Sequence, residues 1–297
     1  MLDRAPSPRL AAVRAPALPV AAMVLGQTVD EAAALLPRLF NLCRAAQGAA
    51  ARMAFGLPPD PAAPSLAQEI LRDHLMKFHV TWPAFFGAPP SPLPADWAAG
   101  GRALVPAVFG PAGRAPVAPA DVEAFLVSDH GVAPMLRRIA GSFAQGEADA
   151  GALPPVTPAT AFTPGPVDNS VAARQAHQPG LAHIAATRGH GPLWRAAARA
   201  WDLAEAATGR YPAPVSPAPG RALVPAARGL YAVTACVSEG RVAAFDRVTP
   251  TDHLLAPCGV LDRSLAALPA EKHGLAPLLL DILDPCSPVR LKEATDA

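Results

Sequence analysis

Cys43, Cys236, Cys258 and Cys286, together with eight histidines, are the residues of this chain able to hold a soft metal. Thiolates suit zinc, nickel and low-spin iron, whereas an isolated cysteine is more often a small buried hydrophobe. A zinc site would draw on Cys43, Cys258, Cys286 and a histidine such as His253, but no C-x-x-C pair exists anywhere in the sequence, and isolated cysteines seldom make structural zinc. Alternation along a hairpin pattern places Cys236 in the core, and Cys258, before Gly259, is a loop thiol. His74 and His79 do not share a helix face well and are expected as surface or satisfied core residues. Other chemistries have no footing. There is no G-x-S-x-G elbow for a hydrolase and no G-x-G-x-x-G turn or Walker loop for nucleotides.

A formal charge of +1 with 16% charged residues leaves no basic face for nucleic acid. Arg137 with Arg138, and Arg195 with Arg199, are expected on solvated helix faces. Four cysteines are too few for a disulfide scaffold and fit a reducing compartment, so the cytoplasm is the expected location. Residues 15–26 are apolar and follow Arg4, Arg9 and Arg14. Pro16 and Pro19 inside that stretch, Asp3 before it and the lack of any apolar run of ~18 residues argue against an export signal and against a membrane span. With 51% hydrophobic residues the chain can bury a sizeable core, expected as a single domain over 1–297. Its 37 prolines demand long irregular connections.

Apolar spacing predicts helices over 30–36 and 38–54, with Cys43 inside or just before the second. Ser65 with Gln68 reads as a capping box opening a helix to about residue 78. Residues 87–119 are Pro- and Gly-rich, with a short strand at 103–109, and helices follow at 121–127 and 132–145. After a Pro-rich run at 152–166, the clearest helix spans 192–208 and stops at Gly209. A third Pro-rich connection covers 211–220. The period then changes: 230–237 and 241–248 alternate around Ser238-Glu239-Gly240 as a hairpin, and an amphipathic helix at 271–282 delivers Asp284-Pro285-Cys286. The predicted fold is mainly α, a helical body over about 27–209, with a small antiparallel β hairpin or sheet near the C-terminus within 221–297.

Two segments resemble the cysteine motifs of nickel-iron hydrogenase large subunits, R-x-C-G-x-C-x-x-x-H and D-P-C-x-x-C-x-x-H. Arg38 and Cys43 keep part of the first, with Phe40, Asn41 and Gln47 in place of a cysteine, the glycine and the histidine; Asp284-Pro285-Cys286 keeps half of the second, with Val289 and Lys292 in place of a cysteine and a histidine. Residues 72–79 resemble the family's histidine-rich helix, and 168–175 faintly resembles its E-T-G-A-L-A-R-Q stretch. Better kept are Pro225-Ala226-Ala227-Arg228-Gly229-Leu230, similar to E-A-P-R-G-x-L, and Val248-Thr249-Pro250-Thr251, similar to V-V-P-[ST]. In the family that arginine and that hydroxyl hold the cyanides of the active-site iron, which implies Arg228 and Thr251 as the fragment-binding residues here. An iron-bound cyanide presents an outward lone pair with negative charge, and in a dry pocket it needs donors. Arg228 offers a permanently charged fork and Thr251 a hydroxyl.

The resemblance implies a truncated nickel-iron hydrogenase large-subunit-like fold that cannot do hydrogenase chemistry. Cys43 falls on a bridging position and Cys286 on a nickel-terminal one, too few thiolates for the nickel site but enough for one low-spin iron already carrying cyanide and carbon monoxide. This pattern is similar to the HupK/HoxV-type hydrogenase accessory proteins, non-catalytic maturation factors on which the Fe(CN)2CO fragment is held before transfer. It implies Cys43 and Cys286 as metal ligands, no nickel, and as partners a HypC-type chaperone, a HypD-type assembly protein and the immature large subunit. The alternative is a metal-free mimic of the large subunit that acts as a protein-binding chaperone. Two expectations follow from the scaffold role: the two sulfurs lie about 3 to 4 Å apart, and the chain is not trimmed after Lys292 but ends at Ala297.

Overall fold

Proline and glycine cut the chain into short elements, and the computed structural model describes them over residues 9–16 and 18–294. Asp3 and Arg4, and the end of the expected untrimmed tail at 295–297, lie outside the described residues. The order is β1 (Arg9–Arg14), α1 (Val20–Val24), α2 (Val29–Leu35), α3 (Arg44–Ala54), α4 (Leu66–Met76), α5 (Trp82–Phe85), α6 (Val105–Phe109), α7 (Pro119–Val127), α8 (Ala133–Ser142), α9 (Val171–Gln175), α10 (Pro179–Arg188) and α11 (Pro192–Ala207). The second part carries β2 (Arg221–Ala226), β3 (Gly229–Ser238), β4 (Arg241–Val248), α12 (Pro250–Leu254), α13 (Val260–Ala266), α14 (Ala276–Leu283) and β5 (Val289–Ala294).

α11 is the hub of the helical body. Pro192 opens it, where a missing N–H costs nothing. Ala196, Ala197, Ala200 and Ala204 are all buried, and their small side chains let α4, α8, α9, α10 and α14 pack around it. Trp201 fills the space beside α6 and α7, edge-on to Phe109 at 5.1 Å and to Phe125 at 6.5 Å. A Cβ on Gly180 of α10 would stand 2.6 Å from the Trp201 ring, so only glycine allows that approach.

A second core joins α3 to the antiparallel sheet β2-β3-β4. Ala46, Ala50 and Ala54 form one stripe of α3 and meet Val224, Tyr231 and Val233. Glu239 and Gly240, both at positive φ, make the two-residue turn between β3 and β4, the geometry that matches the twist of a hairpin. The fold is thus mainly helical with small antiparallel sheets. The sheet has three strands, one more than the hairpin pattern predicts, because β2 pairs with β3 in the register Val224↔Tyr231.

Several expectations fail locally. The helix expected from residue 38 starts at Arg44, because Cys43 takes a left-handed φ of 53° and breaks the helical path, leaving a 3-10 turn at Leu36–Arg38. Ser65 precedes α4 without capping it, and Gln68 instead donates to the Ala98 carbonyl at 3.1 Å. The strand expected at 103–109 is helical: Pro106 suits a first helical turn, and Val105, Val108 and Phe109 reach the core at helical spacing. The helix expected from 271 begins as a 3-10 turn, Ala270–Leu275, before α14. Cys236 is exposed rather than core, because it lies near the hairpin tip on the face of β3 opposite Tyr231, Val233 and Ala235, which pack against α3. Arg195 and Arg199 are buried, not solvated, and pair with Asp168 at 3.0 Å and Asp284 at 2.9 Å. Neither α10 nor the ribbon of β1 with β5, Arg9↔Ala294 to Arg14↔Val289, is foreseen from local pattern. Among the described residues no helix is long and apolar enough to cross a membrane.

Candidate functional site

Cys43 stands in its left-handed turn immediately before α3, with only 5% of its surface exposed. It offers no side-chain cap to that helix, and Glu69 from α4 does so instead, accepting from Ala45 N–H at 2.7 Å and Ala46 N–H at 3.2 Å. Arg228, just before β3, directs Nη1 at the Cys43 sulfur (3.2 Å) and at Asp73 Oδ2 (2.7 Å). Cys286 follows a second left-handed turn, Asp284 at φ 52°, and Pro285. Its N–H donates to Thr251 Oγ1 at 2.6 Å, which leaves the Thr251 hydroxyl hydrogen for the Cys286 sulfur at 2.9 Å. Thr251 itself is fixed in the first turn of α12 by the capping box of Thr249 with Asp252.

The four residues singled out in the sequence therefore form two pairs, each a thiol with a donor. Arg228 and Thr251 come from the two ends of the β3–β4 hairpin, which pairing brings side by side at Ala232↔Val248. Burial pushes the Cys43 thiol up to about 12, and the Arg228 guanidinium beside it works against that. Without a metal Cys43 keeps its proton, and a metal must displace it.

Behind the thiols lies a buried polar chain. Asp284 contacts Lys77 Nζ at 2.9 Å, Arg199 Nη2 at 2.9 Å and Arg228 Nε at 3.1 Å, the last as an ion contact rather than an aligned hydrogen bond. Burial alone would raise its pKa, but these cations hold the carboxyl well below the usual range. Arg199 Nη1 reaches His74 Nδ1 at 3.2 Å, and His74 Nε2 meets Asp202 Oδ2 at 2.7 Å. Asp202 also accepts from Arg174 at 2.9 and 2.7 Å and from Gln175 at 2.7 Å. An arginine only donates, so His74 Nδ1 is the acceptor and the ring is neutral, as its burial also demands.

That arrangement fixes the sign of the pH dependence. Unfolded histidine takes a proton as pH falls below 6.5, and folded His74 refuses it, so stability declines from there downward. A second loss is expected below about pH 4, where the unfolded chain protonates carboxylates that Asp202 and Asp284 keep charged. Thermal melts at fixed ionic strength should show a lower Tm at pH 5.5 than at pH 7.5; equal values would contradict a neutral His74.

No family model matches the chain. The hydrogenase expression/formation protein HupK of Rhodobacter capsulatus is 52% identical to it over 280 residues, covering 94% of this chain and 92% of the relative. The chain belongs to the HupK family.

In this HupK-family chain the positions that depart from the large-subunit motifs have uses of their own. Gln47 donates through Nε2 to the Leu42 carbonyl at 2.9 Å and accepts from Tyr231 Oη at 3.2 Å. The Arg247 guanidinium stacks over Phe40, 4.3 Å from the ring centroid. Val289 and Lys292 pair with Arg14 and Ala11 in the terminal ribbon.

The zinc set is not assembled in the HupK-family fold. Cys258 is exposed in a left-handed turn, and His253 is buried with Nδ1 3.4 Å from the Gly165 carbonyl. Among the described residues no group of three or more His, Cys, Asp or Glu is placed to hold a metal ion. Sequence reasoning missed Glu69, Asp73, Arg199, Asp202 and Arg247. Asp73 lay within the histidine-rich resemblance and could have been found there; the others carry no local signal, since a buried charge is recognisable only beside its partner.

Proposed function

We propose that this protein is a non-catalytic hydrogenase maturation scaffold, built on a truncated large-subunit-like fold, that holds the Fe(CN)2CO fragment on Cys43 and Cys286 and passes it to the immature large subunit. The observation that carries this reading is the matched pairing of each thiol with a donor, Arg228 at 3.2 Å from Cys43 and Thr251 at 2.9 Å from Cys286, in a chain of a family whose named relative is a hydrogenase expression/formation protein. The fragment brings three diatomic ligands, so two thiolates complete all but one position of an octahedral low-spin iron and leave an opening for handover. Two thiolates are at the same time too few for nickel. Arg228 and Thr251 supply the donors that iron-bound cyanides need in a buried site.

On this reading a HypC-type chaperone and a HypD-type assembly protein deliver the fragment, in the cytoplasm where thiols stay reduced. The test is anaerobic purification from cells that make the fragment, followed by infrared spectroscopy and iron analysis. Cyanide and carbonyl bands with iron near one per chain are expected. Their absence would leave the metal-free chaperone that mimics the large subunit.

A further inference from the structure

Phe40 and Gln47, on either side of Cys43 in the chain, hold a guanidinium that the scaffold role does not use. Arg247, at the end of β4, is half-buried. Its Nη1 donates to Tyr231 Oη at 3.1 Å and lies 3.4 Å from Gln47 Oε1, while the plane stacks on Phe40. Gln47 is one turn beyond Cys43, with its N–H on the Cys43 carbonyl. Arg247 also lines one cleft with Thr249 and Ser287, the residue after Cys286. The cation is therefore held on the segment that bears Cys43 and shares a cleft with the one that bears Cys286, and Arg228 is a second cation at Cys43 itself.

We propose that Arg247 is a selectivity residue: together with Arg228 it makes the two-thiol site accept a metal that arrives already dressed in anionic ligands and reject bare divalent cations such as nickel, cobalt or zinc. This rests on Cys43 and Cys286 being the ligands, as in the scaffold role. Charge and donor number both point the same way. Ferrous iron with two thiolates, two cyanides and a neutral carbonyl carries two net negative charges; Arg228 is already shared with Asp73 and Asp284, so Arg247, which has no carboxylate among its hydrogen-bond partners, is the cation left to favour that charge. A bare divalent ion brings only water, needs about four protein donors, and meets two thiols with, among the described residues, no group of three His, Cys, Asp or Glu placed to hold it. It is also repelled by Arg247, whose charge has no carboxylate among its hydrogen-bond partners, in a partly desolvated site. Phe40 and Gln47 hold the guanidinium by stacking and by hydrogen bonding, uses that a lysine's point charge would share only in part.

Cobalt(II) is the probe, because thiolate-to-cobalt charge-transfer absorption reports sulfur ligation without hydrogenase and without the iron fragment. The full-length, reduced wild-type protein is expected to show weak binding and little charge-transfer absorption. Arg247→Gln should bind cobalt at least ~10-fold more tightly, about 1.4 kcal/mol, with the absorption present. Arg247→Lys, which keeps the charge, should behave as wild type, and Arg247→Met serves as a second neutral variant if the glutamine protein melts early. Adding Cys43→Ser to Arg247→Gln should remove the gained absorption. Equal cobalt affinity in wild type and both neutral variants would overturn the proposal, as would a lysine variant that binds like the glutamine one. Infrared bands absent from the wild type would remove the scaffold role and leave the cobalt comparison to decide selectivity; bands present with unchanged cobalt affinity would remove selectivity alone.

Discussion

Cys43→Ser and Cys286→Ser should each abolish retention of the iron fragment, whereas Arg228→Leu and Thr251→Val should weaken it by roughly 10- to 100-fold. The difference follows from what each change removes. A serine hydroxyl does not replace a thiolate on low-spin iron, so either cysteine variant loses a bond to the metal itself. Arg228 and Thr251 act on the ligands and on the sulfurs, and their loss leaves both iron–sulfur bonds possible. The two donor variants differ in a further way. Thr251→Val is nearly isosteric but strips the acceptor from Cys286 N–H, so its effect is confined to the motif. Arg228→Leu also takes the cation from Asp73 and one of three from Asp284, both largely buried, so a thermal melt must accompany its iron content. Iron analysis and infrared bands on anaerobically purified variants, beside complementation of hydrogenase activity, give the readout. Full complementation by the Cys43/Cys286 double mutant would leave only protein-binding mimicry.

The largest loss of stability is expected from Asp202→Ala. Asp202 is fully buried and answers four donors: two from Arg174, one each from Gln175 and His74. Removing it leaves the Arg174 guanidinium uncompensated in the interior, a change that costs about 3–5 kcal/mol in comparable buried pairs. For a chain of this size that is a fall in Tm on the order of 10 °C. Damage should also spread toward the thiols, because His74 links Asp202 to Arg199 and Arg199 links His74 to Asp284. Glu205→Gln is the control: its partner Arg210 is mostly exposed, and the expected cost is under about 1 kcal/mol. Similar melting temperatures for the two variants would refute the central place given to Asp202.

How much of this was legible beforehand differs from element to element. The helix expected at 192–208 is present as Pro192–Ala207, because a proline start, a glycine stop and sixteen residues of helix formers and apolar spacing all act within the segment itself. The hairpin of β3 and β4 is equally local, set by alternation on both sides of a two-residue turn. By sequence alone, then, the chain declared a mainly helical body, a C-terminal hairpin, the two cysteine segments and, through its motifs, its likeness to hydrogenase accessory proteins; that both segments pass through left-handed turns, at Cys43 and Asp284, came from the structure.

Only the tertiary structure decided which charges are buried and what each thiol touches. Arg199 reads as a surface residue on its helix until α14 brings Asp284 to it; Cys236 reads as core until α3 covers the other face of β3, that of Tyr231, Val233 and Ala235. His74 meets Asp202 across 128 residues, and Arg228 meets Cys43 across 185. Such partners leave no trace in the neighbouring residues, because the cost of burying a charge is set by the groups packed around it. The ends of the chain show the same limit: β1 and β5 pair across almost the full length of the sequence, and a strand with its partner that far away has no local turn to announce it.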